Sequence, residues 1–214
     1  MRPRDAATLI LVRNKREVLL GVRSADHVFM PHMYVFPGGR VDAGDARVNC
    51  PVDLRPVVKQ RLLRTLSPAR ARALAMTAVR ETWEETGLLL GHPCREPLQT
   101  RSPHWRPFFA EGVVPALDRL DYVARAITPP GQVRRYDARF FLADAAHASG
   151  VLRGNGELED LRWVDINEAH QLALSPITAM VLELLEQRIR GKVQTLARVP
   201  SYRERNGRTT IDYE

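Results

Sequence analysis

Between Arg80 and Leu88 the chain reads Arg-Glu-Thr-Trp-Glu-Glu-Thr-Gly-Leu. Three carboxylates, Glu81, Glu84 and Glu85, fall within five positions. In a helix they occupy i, i+3 and i+4 and share one face. The flanking residues specify that helix. Ser67-Pro68 reads as an N-cap followed by proline at the first helical position. Residues 69–86 are rich in alanine and contain neither glycine nor proline. Gly87 supplies the C-terminal stop. Like charges at this spacing repel by about 0.2–0.5 kcal/mol per pair, so a cation belongs beside them. Carboxylate oxygens suit hard divalent ions such as Mg2+ or Mn2+. A Glu-rich helix alone is as readily a solvated acidic surface with arginine partners. The neighbouring sequence decides between the two.

That neighbour is Phe36-Pro37-Gly38-Gly39-Arg40-Val41-Asp42-Ala43-Gly44-Asp45. Pro-Gly-Gly reads as a turn after an apolar segment. Adjacent glycines let backbone groups approach an ion or a phosphate closely. Together the two segments resemble the Nudix box. Gly39 and Asp45 match its first half, with Asp in place of the usual Glu. Arg80, Glu81, Glu84, Glu85, Gly87 and Leu88 match the second, with Thr82 at a usually apolar position. Residues 46–79 stand where the pattern has seven positions. A box carrying such an insertion resembles one branch, the acyl-coenzyme A diphosphatases. The pair Ala126-Ile127-Thr128-Pro129 and Arg135-Tyr136-Asp137-Ala138-Arg139-Phe140-Phe141 looks like the same branch.

The resemblance implies hydrolysis of a pyrophosphate linked to another moiety. Divalent ions on a diphosphate offset its charge and lower the pKa of water. Glu81 and Glu85, one turn apart, read as metal ligands. Glu84 is a third ligand or a base, and Gly38 could add its carbonyl oxygen. Arg80 would hold a glutamate in place by a bidentate contact. Arg80, Glu81 and Glu84 form the catalytic set. Arg40 and Arg135 are the candidates for substrate phosphates. Glu84, Glu157 and Glu159 all remain candidates for the general base.

The remaining sequence fits this frame. At 214 residues the chain reads as a single domain over 1–214, with 46–79 as insertion and box helix and 191–214 as an extension. No run of about 18 apolar residues predicts a membrane span. The first residues lack the apolar stretch of a signal peptide. Two cysteines, Cys50 and Cys94, make no disulfide scaffold, and a reducing cytoplasm is expected. A net charge of +7 favours an anionic partner, although an arginine-rich composition explains it equally well. No basic run of five and no aromatic-interleaved basic stretch is present, so nucleic acid is not the expected partner.

In chain order, Ala6 to Val12 and Glu17 to Arg23 predict two antiparallel strands around Asn14-Lys15-Arg16. Ser24 to Met33 is a loop whose His27 and His32 carry no assignment. Tyr34 to Phe36 is a short strand. The insertion predicts a helix over 57–66, whose Arg55, Lys59, Arg61 and Arg64 suggest a wall over substrate phosphates or a solvated excursion. Leu88 to Leu90 starts a buried strand, and 93–107 is irregular. Residues 113–126 place Leu117, Leu120, Val123 and Ala124 at helical spacing. Arg134 to Leu142 is a strand. Gly154 to Gly156 is a turn before the acidic segment Glu157 to Val164. Ser175-Pro176 caps a helix with Ile177, Met180, Val181, Leu184 and Leu185 on one face. A strand over 194–199 and a tail complete the chain. These elements imply an α/β/α sandwich, a mixed sheet between the box helix and the helix near 176–189, and the Nudix resemblance implies the same.

The expected substrate is an anionic nucleotide, with coenzyme A or acyl-CoA first and NDP-sugars, dinucleotides or capped RNA as alternatives. A non-catalytic nucleotide sensor and a salt-sensitive nucleic-acid module are the rivals from other classes. Intact Glu81, Glu84 and Glu85 weigh against the sensor.

Overall fold

The computed structural model of the protein describes residues 2–25, 30–96, 98–191, 198–205 and 208–214. Strands β1 (Arg4–Arg13) and β2 (Glu17–Arg23) form the expected hairpin, with Val12 opposite Val18. Asn14 and Lys15 turn it at φ of 54° and 52°; asparagine tolerates that left-handed geometry. Next come β3 (Tyr34–Val35), β4 (Gly38–Arg40), and helices α1 (Ala43–Arg47), α2 (Pro56–Leu63) and α3 (Pro68–Thr86). After them lie β5 (Leu88–Pro93), α4 (Trp105–Ala110), β6 (Val113–Pro115), β7 (Asp121–Ile127), β8 (Tyr136–Asp144) and β9 (Ala148–Gly150). The chain continues through β10 (Leu158–Asp165), α5 (Ile166–Ala169), α6 (Pro176–Ile189), β11 (Pro200–Arg205) and β12 (Arg208–Tyr213).

The main sheet runs β10-β2-β1-β8-β7-β11-β12, with β3 on β2 and β4 on β1. β1 and β8 are parallel over their length, while β7 and β8 are antiparallel, so the sheet is mixed. β1 is buried on both faces, as its continuous apolar run requires. Leu9 and Leu11 face a core shared with α3, where Leu74, Ala75 and Ala78 sit. Ile10 faces the other core, with Val181, Leu182 and Leu185 of α6. The α/β/α sandwich follows directly. β5, β6 and β9 form a smaller sheet beyond the end of α3.

Several expectations are corrected. Pro-Gly-Gly is not a free turn: Gly38 and Gly39 lie in β4, paired with Thr8 and Ala7 of β1. Residues 113–126 are not helical but hold β6, a 3-10 turn and β7. A register shift between Tyr122 and Ala124 breaks the strand's alternation, and Tyr122, Val123 and Ala124 are all buried. The strand therefore carried no period-two signal. The irregular 93–107 segment leads into α4. The expected tail is the β11–β12 hairpin, which extends the sheet beside β7. Of the strand expected over 194–199, residues 194–197 lie outside the described residues, as does His27.

The helix of the insertion packs on the protein's own core. Val58 and Leu62 of α2 are fully buried in the α3 core. Arg61 pairs with Asp121 at 3.0 Å, Arg55 donates to the Leu120 carbonyl at 3.2 Å, and Arg64 donates to the Glu214 carbonyl at 2.9 Å. Lys59 pairs with Asp53 inside the insertion. These four cations are engaged with the protein itself.

Candidate active site

The acids of α3 are set by the helix ends. The Ser67 side chain accepts the Arg70 N–H, Pro68 opens the first turn, and Gly87 closes the last at φ 74°. Across from the last turns lies β4. The Gly38 N–H donates to Glu85 Oε2 at 2.8 Å. A Cβ on Gly39 would stand 2.5 Å from the Glu81 carboxyl carbon, and one on Gly38 would stand 2.5 Å from the Ala7 carbonyl oxygen. A side chain on Gly38 would push β4 off β1, and one on Gly39 would displace the Glu81 carboxylate. The glycine pair thus brings backbone and carboxylates into contact.

Arg80 organises the cluster. Its Nε and Nη2 donate to the two oxygens of Asp45 at 2.8 and 2.9 Å. It also pairs with Glu81 at 2.9 Å and Glu84 at 2.8 Å. The bidentate contact therefore goes to Asp45, with one contact to each of two glutamates. Asp45 is completely buried and accepts further bonds from Thr77 Oγ1, Trp105 Nε1 and the Asp42 N–H, each at 2.8 Å. Asp42 and Asp45 together form the capping box of α1. The sequence marked Asp45 only as a match to the box, and nothing in it pointed to Thr77 or Trp105.

Charge in the cluster is unbalanced. Arg80 pairs with Asp45, Glu81 and Glu84, while Glu85 is bonded only to the Gly38 N–H among the described residues. Burial pushes the Glu81 carboxyl up to about 7, with Arg80 pulling it down and Glu84 adding repulsion. Burial, then the charge of Glu81, lifts Glu85 well above the usual carboxylate range, while the Gly38 N–H and Arg23 oppose. Buried carboxylates in this condition attract a counter-charge. The donors are all oxygen, the set preferred by Mg2+ and Mn2+. Among the described residues no three Asp, Glu, His or Cys side chains already meet at one point. Each glutamate leans on Arg80 or Gly38 instead, so an ion would replace part of those contacts. The residues fit a divalent cation in charge and chemistry.

Among solved structures, the chain matches a Nudix hydrolase from Alicyclobacillus acidocaldarius at 30% identity and a TM-score of 0.65, over 86% of this chain and 91% of that one. The chain belongs to the Nudix hydrolase family. A MutT Nudix hydrolase from Burkholderia pseudomallei shares the fold at 20% identity and a TM-score of 0.51, over 86% of this chain and 98% of that one. A MutT protein from Bacillus halodurans does so at 14% identity and a TM-score of 0.51, over 98% and 97%. No family model and no curated protein matches the sequence.

The other sequence-predicted residues of this Nudix hydrolase divide by position. Glu157 acts on Glu85 through its charge and shares a cleft of about 500 Å3 with Glu84, Trp83, His104 and Arg153. Glu159 is exposed on β10 opposite Val22. Arg40 follows the glycine pair on β4 with an exposed side chain, and its carbonyl accepts from Arg80 at 3.4 Å. Arg135 is not brought to the acids. It donates to the Thr128 carbonyl at 3.0 Å, and its own carbonyl accepts the Arg4 N–H at 2.9 Å. Arg4 lies four residues along β1 from Thr8, the partner of Gly38, a span of about 13 Å at strand rise. Sequence reading also missed His104, whose Nδ1 lies 3.6 Å from Glu84.

Proposed function

We propose that this Nudix hydrolase cleaves the pyrophosphate of a nucleoside diphosphate derivative with Mg2+ or Mn2+, and that coenzyme A or acyl-CoA is its substrate. The products are then 3′,5′-ADP and (acyl-)phosphopantetheine. One observation carries the reaction: Glu81 lies against Gly39, Glu85 takes the Gly38 N–H, and Glu81 and Glu84 share Arg80. Glu81, Glu84, Glu85 and the Gly38 carbonyl would hold the cation. When bound, it supplies positive charge against the phosphates and acidity to water. The protein's own part is positional. Arg80 fixes Glu81 and Glu84 from behind, anchored on buried Asp45. The Gly38 N–H fixes Glu85. Glu157, or Glu84 if it is not a ligand, would take the proton of the attacking water; both border the cleft.

The choice of coenzyme A rests on resemblance. The box carries the insertion 46–79 of the acyl-CoA diphosphatase branch, and the Ala126–Pro129 and Arg135–Phe141 segments match it too. In the fold these segments run side by side, with Ala126 opposite Ala138 and Ile127 opposite Asp137. The test is a hydrolysis panel of coenzyme A, acetyl-CoA, NADH, ADP-ribose and capped RNA with Mg2+ or Mn2+, read by product mass. Phosphopantetheine from coenzyme A as the fastest product supports the reading. Faster cleavage of another substrate reassigns it, and no cleavage of any overturns the reaction.

A further inference from the structure

The cleft beside Glu84 holds a cation that the reaction centre does not use. Its rim is Arg153-Gly154-Asn155, facing Trp83 and His104. Arg153 makes no side-chain hydrogen bond or ion pair among the described residues. Arg80, by contrast, is committed to three carboxylates. The backbone under Arg153 is nevertheless fixed. Its N–H donates to the Thr86 carbonyl at 2.8 Å at the end of α3. Gly87 makes room for its stem: a Cβ there would stand 2.7 Å from Arg153 Cγ and 2.6 Å from the Val151 carbonyl oxygen. The protein therefore presents an uncommitted guanidinium from an anchored segment, one wall away from the box acids.

We propose that this cleft is the subsite for the substrate's nucleoside end, with Arg153 binding a phosphomonoester on it. The placement rests on the hydrolase reading, because Glu84 serves both sites. At about 500 Å3 the cleft is in the range that small-molecule sites occupy. Trp83 gives it an apolar wall suited to a base. A guanidinium matches a terminal phosphate by two parallel hydrogen bonds. The diphosphate that reacts lies against the glutamates, so the charge Arg153 serves is a separate one. In the proposed substrate that group is the 3′-phosphate.

Calorimetric binding of 3′,5′-ADP and of 5′-AMP in Mg2+ buffer tests this without turnover. Wild-type protein is expected to bind 3′,5′-ADP about tenfold more tightly than AMP. Arg153→Ala is expected to abolish that preference and Arg153→Lys to restore part of it. Equal binding of the two nucleotides by the wild type, or an unchanged preference in Arg153→Ala, overturns the subsite. An Arg153 that merely seals the end of α3 would lower the melting temperature and move both affinities alike, which also overturns it. The two readings separate cleanly. Coenzyme A left intact alongside Arg153-dependent 3′,5′-ADP binding removes the proposed substrate and keeps the subsite. Coenzyme A cleaved with no preference for 3′,5′-ADP does the reverse.

Discussion

Two carboxylates in the cluster look alike in the sequence and should behave in opposite ways. Glu85 is buried with one backbone N–H on it and no arginine bonded to it among the described residues. Asp45 is buried with every oxygen occupied by donors. Glu85→Gln keeps the shape and the acceptor while removing a poorly compensated buried charge. It should lower kcat by about 10²-fold or more and leave the metal-free melting temperature unchanged or higher. Asp45→Asn turns an amide NH2 toward arginine, threonine or tryptophan donors whichever way it flips. It should cost about 3–5 kcal/mol of stability, as breaking a buried ion pair does. Denaturant unfolding of both variants beside the wild type, with initial rates in Mg2+, checks the pair. Full activity in Glu85→Gln, or an unaltered midpoint in Asp45→Asn, would contradict the roles given to them.

At the scale of elements, the insertion is structural. α2 buries Val58 and Leu62 against α3, so removing it exposes the helix that carries the acids. Deleting 48–66 should give insoluble protein, not a soluble enzyme with weaker substrate binding. Arg61→Ala is the gentler test, since Arg61 and Asp121 are both nearly buried. It should lower stability by about 3 kcal/mol and leave KM within twofold of wild type. A soluble, cooperatively melting deletion protein would return the insertion to a role over the substrate. What was legible at this scale follows local chemistry. α3 was readable because Ser67, Pro68 and Gly87 each force a local geometry, and α6 because Ser175-Pro176 caps a strongly periodic run. β7 was not, because its register shift and its burial on both faces erase alternation. The placement of Trp105 on Asp45 was invisible, since 60 residues holding α2, α3 and β5 separate the two. Only the folded chain brings them together.

For the whole molecule the question is where the positive charge goes. Arg61 of α2 and Arg188 of α6 both bond Asp121, so one carboxylate at the head of β7 ties the two helical layers to the sheet. Arg125 bonds Asp137 through Nε and Nη2, each at 2.7 Å, and also bonds Glu214. Arg139, almost fully buried, adds a further contact to Asp137. Much of the +7 chain's arginine is thus spent on holding strands and helices together, and net charge alone says little about a partner. The same network gives a pH dependence. Burial raises the Asp137 carboxyl, but the hydrogen bonds from Arg125 and the charges of Arg139, Arg125 and Arg70 outweigh it and hold it below its ordinary value. A carboxylate with a depressed folded pKa stabilises fully above its unfolded pKa of about 3.9, and that stability is lost as pH falls through the folded value. Asp137→Asn should therefore cost about 2–3 kcal/mol at pH 7. The gap between wild-type and variant melting temperatures should hold down to about pH 5 and shrink below about pH 4. Other carboxylates titrate in the same range in both proteins, so the difference between the two melting curves isolates this one. A gap of constant size from pH 7 to pH 3 would mean that Asp137 is not held ionised by its arginines, and that the network joins the layers through packing alone.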